Sequence, residues 1–340
     1  MQEERLNAPK VSIVCTTYNQ ENYIADAIES FLMQETNFSY EIIIGEDCST
    51  DKTRSIVENY SKKFPNIIRA IYQKENTGGY KNIVDAMNAC SGEYLILNEG
   101  DDFFTDQHKL QTQVDYLDSH KDCSMCFHPV RVFFQDKSQK DYIFPTEHEL
   151  KKIKHKFNYN TLKKINYIQT NSCMYRRANV KFEEILPPQI LPGDWFIHLY
   201  YAKLGKIGYI NKVMSAYRRS STGIWQLAYT NPEKHLLKYW EYIINFYIYA
   251  GEKNKDDTSY WQKKGLEKYR KTFEICVKNK NWENLKNLIL KFPQLNTLLV
   301  NDNFTKNKAE KYKRLCYYLG IILSILLITT LLLVKFVFYQ

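Results

Sequence analysis

Three features of the chain predict an α/β fold with a mainly parallel sheet and helices on both faces. Strands and helices alternate from the N-terminus to about residue 105, which implies right-handed βαβ crossovers. The strands are short continuous apolar runs, the pattern of strands covered on both faces. Acidic residues gather where two of these strands end, the edge at which such sheets bind ligands.

Lys10–Thr16 is a β-branched run that ends in the turn Tyr18-Asn19-Gln20. Tyr23–Met33 carries apolar residues at 24, 27, 28, 31 and 32, a helical spacing. Tyr40–Gly45 reads as a buried strand, Thr53–Phe64 as a helix with Ile56, Val57 and Tyr60 on its apolar side, and Ile67–Tyr72 as a strand. Gly79–Cys90 continues as a helix and Glu93–Leu97 as a strand. After residue 105 the rhythm changes. A helix at Lys109–Ser119 leads into strands near 123–134 and 168–176, a short helix follows Asp194, and strand-like pieces lie near 207–218. From Pro232 to Phe292 the pattern is helical. The expected organisation is an α/β domain over 1–225, a helical extension over 226–305, and a basic flank with an anchor over 306–340.

The anchor is expected from Leu315–Val334, twenty residues without a charge. As a helix it would be ~30 Å long, the thickness of a bilayer core. Lys306, Lys308, Lys311, Lys313 and Arg314 precede it, so the positive-inside rule predicts a single-pass C-terminal anchor with residues 1–314 in the cytoplasm. The polar start Met1–Pro9 is unlike a secretory signal, and the eight cysteines are expected as reduced thiols. Cys123-x-x-Cys126 lies in a predicted buried strand, with no second Cys/His pair at zinc spacing, so a packing role is expected.

The net charge of +9 favours anionic partners. The excess is concentrated between Leu150 and Phe182, where Lys151, Lys152, Lys154, Lys156, Lys163, Lys164, Arg176, Arg177 and Lys181 occur without one acid. Tyr and Phe are interleaved there, but no nucleic-acid-binding motif accompanies them, and nucleic acid is not expected as a partner.

Two acidic strand ends carry the chemistry. Glu46-Asp47-Cys48-Ser49-Thr50-Asp51 follows the second strand, and Glu99-Gly100-Asp101-Asp102 follows the strand at 93–97. Like charges crowded into one turn are costly unless a cation neutralises them. Mg²⁺ or Mn²⁺ suits such a turn, because it takes one or two carboxylates and completes its shell with phosphate oxygens.

The segments VSIVCTTYNQENYIADAIESFLMQ, EIIIGEDCSTDKT and NTGGYKNIVDAMNACSGEYLILNEGDD resemble, in order and spacing, the motifs of glycosyltransferase family 2. The resemblance covers about residues 9–225 and implies a GT-A (Rossmann-like) catalytic domain. It implies transfer of a sugar from a nucleoside-diphosphate donor, expected to be a UDP-sugar, to a hydroxyl of a glycan or lipid-linked saccharide, with inversion, in cell-surface polysaccharide synthesis. Thr17 and Asn19 match the loop over the nucleotide, and Asp47 the acid at the base. Asp101 and Asp102 match the carboxylates of the ribose and of the metal-bound diphosphate, with Glu99 where a first Asp often stands. Gly193-Asp194-Trp195 resembles the later acidic motif, which makes Asp194 the implied general base; capping of the following helix is the alternative role. Tyr217-Arg218-Arg219-Ser220-Ser221-Thr222-Gly223-Ile224-Trp225 resembles a late family segment that carries His where Ser220 stands, which leaves the third metal ligand open. Arg218, Arg219 and Trp225 are the implied residues of the diphosphate and acceptor side. No Gln-x-x-Arg-Trp motif is present, so the expected transfer is non-processive. The competing readings are a catalytically inactive sugar-nucleotide or glycan-binding module on a membrane anchor, and a nucleotidyltransferase, whose Gly-rich basic loop is absent from the first turn.

Overall fold

The computed structural model describes residues 8–137, 139–219 and 224–301. Two compact units divide the chain, Met1–His235 and Leu236–Gln340. In the first, β1 (Val11–Thr17), β2 (Tyr40–Glu46), β3 (Ile68–Tyr72) and β4 (Tyr94–Glu99) alternate with α1 (Ile24–Leu32), α2 (Thr53–Lys63) and α3 (Gly78–Asn88). A two-residue strand, β5 (Phe103–Phe104), precedes α4 (Lys109–Ser119). Then follow β6 (Cys123–Phe127), β7 (Val130–Phe134), β8 (Tyr142–Phe144), α5 (Glu147–Lys152), α6 (Tyr159–Leu162) and β9 (Met174–Arg176). The unit continues with α7 (Phe182–Ile185), α8 (Gly193–Leu204), β10 (Lys206–Tyr209), β11 (Ser215–Arg219) and α9 (Ile224–Thr230).

Seven strands form the main sheet in the order β10-β6-β9-β4-β1-β2-β3. β1 pairs in parallel with β2 and β4, and β2 with β3, while β9 runs antiparallel to both β4 and β6. All five residues Val11–Cys15 of β1 are buried. Val11, Ile13 and Cys15 join Ile24, Ile28 and Phe31 of α1 and Leu110, Val114 and Leu117 of α4 in one core. The period-2 alternation of a strand sends Ser12 and Val14 to the other face, where α3 packs. Burial on both faces explains the unbroken apolar runs.

The region after residue 105 departs from the expected pattern. The run 123–134 is two strands in two different sheets, broken at His128-Pro129, and 168–176 contributes only three strand residues after a 3₁₀ turn at Thr170–Ser172. A second sheet, β5-β11-β7-β8, was not legible, because β11 pairs with strands far from it in sequence. Cys123 and Cys126 are buried free thiols in β6, and both join the core that α4 covers.

The second unit contains α10 (Pro232–Lys253, entered from the first unit), α11 (Thr258–Lys278), α12 (Trp282–Lys291) and α13 (Pro293–Asn301). Trp240, Ile244, Tyr269, Phe273, Leu288 and Phe292 are among its core residues.

The expected membrane anchor is corrected. Among the described residues no helix is long and apolar enough to cross a membrane. The longest, α10 and α11, are interrupted by Lys and Glu, which are costly inside a bilayer. The span 315–334 lies outside the described residues. The fold class is therefore α/β, GT-A-like, with a helical C-terminal unit. The single-pass anchor, and the cytoplasmic placement derived from it, are not supported.

Candidate active site

The parallel strands β1, β2 and β4 end at one edge of the sheet, and each carries predicted site residues there: Thr17, Glu46-Asp47 and Glu99. The loop after β1 is stitched to the turn after β2. Asn19, in the left-handed region at φ 52° that Asn tolerates, donates its backbone N–H to Ser49 Oγ (3.0 Å) and accepts from the Thr50 backbone N–H (2.8 Å). The same loop reaches the turn after β4. Thr17 Oγ1 donates to Gln20 Oε1 (2.8 Å), and the Gln20 amide hydrogen-bonds the Asp101 carboxylate. Gly100 makes this approach possible: a Cβ there would lie 2.5 Å from Gln20 Oε1 and 2.9 Å from Thr17 Oγ1.

The first acidic turn is consumed by the protein. Buried Glu46 accepts from the Ser49 backbone N–H and from Arg54 Nε, both at 2.6 Å. Asp47 accepts at Oδ1 from the Thr77 backbone N–H (2.7 Å) and hydroxyl (2.8 Å), and at Oδ2 from the Gly78 N–H (2.9 Å). It satisfies orphan donors at the start of α3, which has no side-chain cap from its own N-cap residue.

The second turn is different. Asp102 is buried and tied on both oxygens: Oδ1 accepts from the Arg218 backbone N–H (2.9 Å) and Oδ2 from Asn171 Nδ2 (3.1 Å). Asp101, beside it, has a buried Oδ1 with no partner among the described residues. The Glu99 carboxylate makes no hydrogen bond or ion pair among the described residues. Desolvation, then the neighbouring Asp101 and Asp194 charges, hold Glu99 above the ordinary glutamate range. Burial raises Asp101 as well. Burial, then Asp101 and Glu99, raises Asp102 further. A crowd of carboxylates that resist ionising together is stabilised by an added cation.

Asp194 stands against this turn. It lies in the first turn of α8, but Pro192 occupies the N-cap position and no side chain caps the helix, so the capping role is not the one seen. Its Oδ2 accepts from Thr170 Oγ1 (3.2 Å), and the next residue, Asn171, holds Asp102. The 3₁₀ turn at 170–172 thus lies between the implied base and the acidic turn. One helical turn beyond Asp194, His198 is fully buried, and burial, against the pull of Asp194, pushes its imidazole down to about 4.

The Arg218 guanidinium is engaged within the protein. Its Nε donates to the Asp101 carbonyl (2.9 Å), its Nη1 to Gln135 (3.1 Å) and its Nη2 to Asp26 (2.9 Å). The rings of Tyr23, Phe103 and Phe133 surround the guanidinium, with centroids at 4.9, 5.2 and 4.9 Å. Arg218 braces the acidic turn against the second sheet. Arg219 stacks over Tyr229 at 3.7 Å and its Nε is buried without a partner among the described residues. Trp225 stacks on His235 at 5.5 Å. Ser220 lies outside the described residues, and with it the question of the third ligand. Gln20, Thr170 and Asn171 were missed as site residues: no local pattern marks them, and 168–176 reads as one strand.

Among the described residues no group of three or more His, Cys, Asp or Glu is arranged to hold a metal ion. A divalent cation that binds through two carboxylates and phosphate oxygens needs fewer, and the unpaired Asp101 Oδ1 with the Glu99 carboxylate fits that demand. Asp102, with both oxygens engaged, fits it poorly. A separate groove of about 1420 Å³ opens at the opposite end of the sheet, lined by Lys10, Gly92, Glu93, Arg176 and Phe182, and the acidic turn has no part in it.

The family model for glycosyl transferase family 2 matches residues 12–182, and the chain belongs to that family. An uncharacterized protein of Mycobacterium tuberculosis is 41% identical over 231 residues, 68% of this chain and 64% of its own length. The chain therefore spans somewhat less than two thirds of that relative. The poly(ribitol-phosphate) beta-N-acetylglucosaminyltransferase TarS of Staphylococcus aureus is 30% identical over 115 residues, 33% of this chain and 19% of its own. The structure of TarS 1–349 with UDP-GlcNAc matches with a TM-score of 0.52 at 16% identity, covering 84% of this chain and 92% of that one. Mannosyltransferase PcManGT from Pyrobaculum calidifontis, in complex with GDP-Man and Mn²⁺, matches with a TM-score of 0.53 at 14% identity, covering 86% and 79%. These structural likenesses establish the GT-A fold of the chain.

Proposed function

We propose that this chain transfers a sugar from a nucleoside-diphosphate sugar, a UDP-sugar by preference, to a hydroxyl of a glycan acceptor by a single displacement that inverts the anomeric carbon. Family membership and the fold support the reaction class. The observation that carries the mechanism is the placement of Asp194 beside Glu99 and, through Thr170 and Asn171, beside the Asp101-Asp102 turn.

In this reading Asp194 accepts the proton of the acceptor hydroxyl as its oxygen attacks, a role that contributes roughly 10²–10⁴-fold. Thr170 holds the carboxylate in place. Asn19, Thr17 and the Asp47 turn form the nucleotide side of the cleft. Asp101 and Glu99 would hold a divalent cation, Mg²⁺ or Mn²⁺, which when bound supplies positive charge to a diphosphate. Asp102 and Arg218 keep the Asp101 carboxylate at the floor of the site. TarS acts on poly(ribitol-phosphate), as its name states, and by analogy the acceptor here belongs to a cell-surface glycan or its lipid-linked precursor.

The test is Asp194→Asn in the purified protein. We expect kcat to fall by roughly 10²–10⁴-fold, with UDP-sugar binding and Tm unchanged. Loss of donor binding, or an unfolded variant, would assign Asp194 a structural role instead.

A further inference from the structure

The acid-free stretch that stood out in the sequence carries a run of exposed lysines, and its segment at Tyr159–Leu162 packs against α8, the helix of Asp194. Lys151, Lys152, Lys154, His155, Lys156 and Lys164 are all exposed. None of the five lysines has an ion-pair partner among the described residues. The backbone beneath them is fixed. A Thr146–Glu149 capping box starts α5 and occupies the Glu149 carboxylate. After α5 the chain turns tightly through Lys154 and His155, at φ 53° and 48°, closed by His155 N–H to the Leu150 carbonyl (3.1 Å) and Lys156 N–H to the Ile153 carbonyl (3.0 Å). Leu150 and Ile153 bury into the unit, and Phe157 stacks on Tyr209 at 4.7 Å. Ammonium groups that a fixed backbone keeps near one another repel, and an anionic partner relieves that repulsion.

The surface is coupled to the site. Trp195, the neighbour of Asp194, donates its indole N–H to the Leu162 carbonyl (2.9 Å), and Lys163 and Lys164 follow directly. Lys203, on the same helix as Asp194, and Lys163 both stand over the Tyr159 ring, at 4.8 and 5.6 Å. We propose that the lysine surface of residues 151–164 is the docking track for an acceptor chain whose repeating units carry phosphodiester charge, leading its hydroxyls to Asp194. Lysine ammonium groups act as point charges for phosphate, and a chain with one charge per unit can meet several of them along its length. This inference rests on the proposed function for its direction, since it assigns the acceptor to that same site.

The experiment uses the full chain and its K151Q/K152Q/K154Q/K156Q variant. The probes are a synthetic phosphodiester-linked ribitol oligomer and its neutral methyl-phosphotriester analogue, with UDP-sugar hydrolysis as an independent readout. We expect the wild type to bind the charged oligomer and not the neutral one, with affinity falling as salt rises. We expect the variant to bind the charged oligomer ~10-fold or more weakly, with donor hydrolysis and Tm unchanged, and the Lys→Arg version to retain binding. Equal binding of the oligomer by wild type and variant at low salt overturns the proposal. So does a variant that loses binding to phosphatidylglycerol vesicles while keeping the oligomer, which assigns the surface to a membrane. Oligomer binding without any donor hydrolysis by the wild type would leave the docking track standing and strike the proposed reaction.

Discussion

The two acidic turns look alike in sequence and differ in what the fold does with them. Both follow apolar strands of one parallel sheet and both crowd carboxylates into a few residues. In the turn after β2 the protein supplies a partner for every carboxylate of the pair: Arg54 and Ser49 for Glu46, Thr77 and Gly78 for Asp47. In the turn after β4 only Asp102 is satisfied in this way, while Asp101 Oδ1 and Glu99 are left without partners among the described residues. Acidity at a strand end is therefore a weak sign of function, and unmet hydrogen-bonding capacity is a stronger one. A buried polar atom without a partner costs free energy, and a ligand that meets it recovers that cost.

The sharpest way to break the comparison is to neutralise one carboxylate in each turn. Asp101→Asn should lower transfer by about 10³-fold, the scale of several kcal/mol of lost charge stabilisation, with little change in Tm. Enzyme assays beside thermal melts check it, and an Asp101→Asn protein of normal activity would remove Asp101 from the chemistry. Glu46→Ala should act in the opposite sense. It leaves Arg54 and the Ser49 N–H without their partner, and because Arg54 is about a third exposed the loss should be about 2 kcal/mol of stability, below the values for fully buried pairs. Urea denaturation would measure this, with the activity of the folded fraction retained. Asp47→Ala is the smallest effect, about 1–2 kcal/mol from the lost cap on α3. It also tests the boundary between the two turns. An Asp47→Ala protein that keeps its urea midpoint but loses UDP binding would move Asp47 from the structural side to the ligand side.

The region before residue 105 was legible because its signals are local. Period-2 and period-3.6 patterns locate β1 to β4 and α1 to α3, and their order implies the parallel sheet. The later region was not. His128-Pro129 divides one apolar run between two sheets, and β11 finds β5 and β7 more than eighty residues back in the chain. The site follows the same rule. Thr17, Asn19, Asp47, Glu99, Asp101, Asp102 and Asp194 were named from motifs; Thr17, Asp101, Asp102 and Asp194 are held at the turn after β4 through Gln20, Asn171 and Thr170, Asn19 and Asp47 are held at the turn after β2, and Glu99 has no partner among the described residues. Arg218, expected at a leaving phosphate, is enclosed by three rings and three acceptors.

By itself the sequence determined the alternation of elements, the two acidic strand ends and the stretch of lysines without an acid, since each is a property of neighbours along the chain. Which carboxylate is spent on the fold and which is left without a partner was decided by tertiary structure alone. The partners that settle it come from far away: Arg218 reaches Asp102 across 116 residues and Asn171 reaches it across 69. Hydrogen bonds are short-ranged and directional, so the fate of a buried carboxylate depends on which distant donors the packed chain brings within about 3 Å, and no local pattern encodes that.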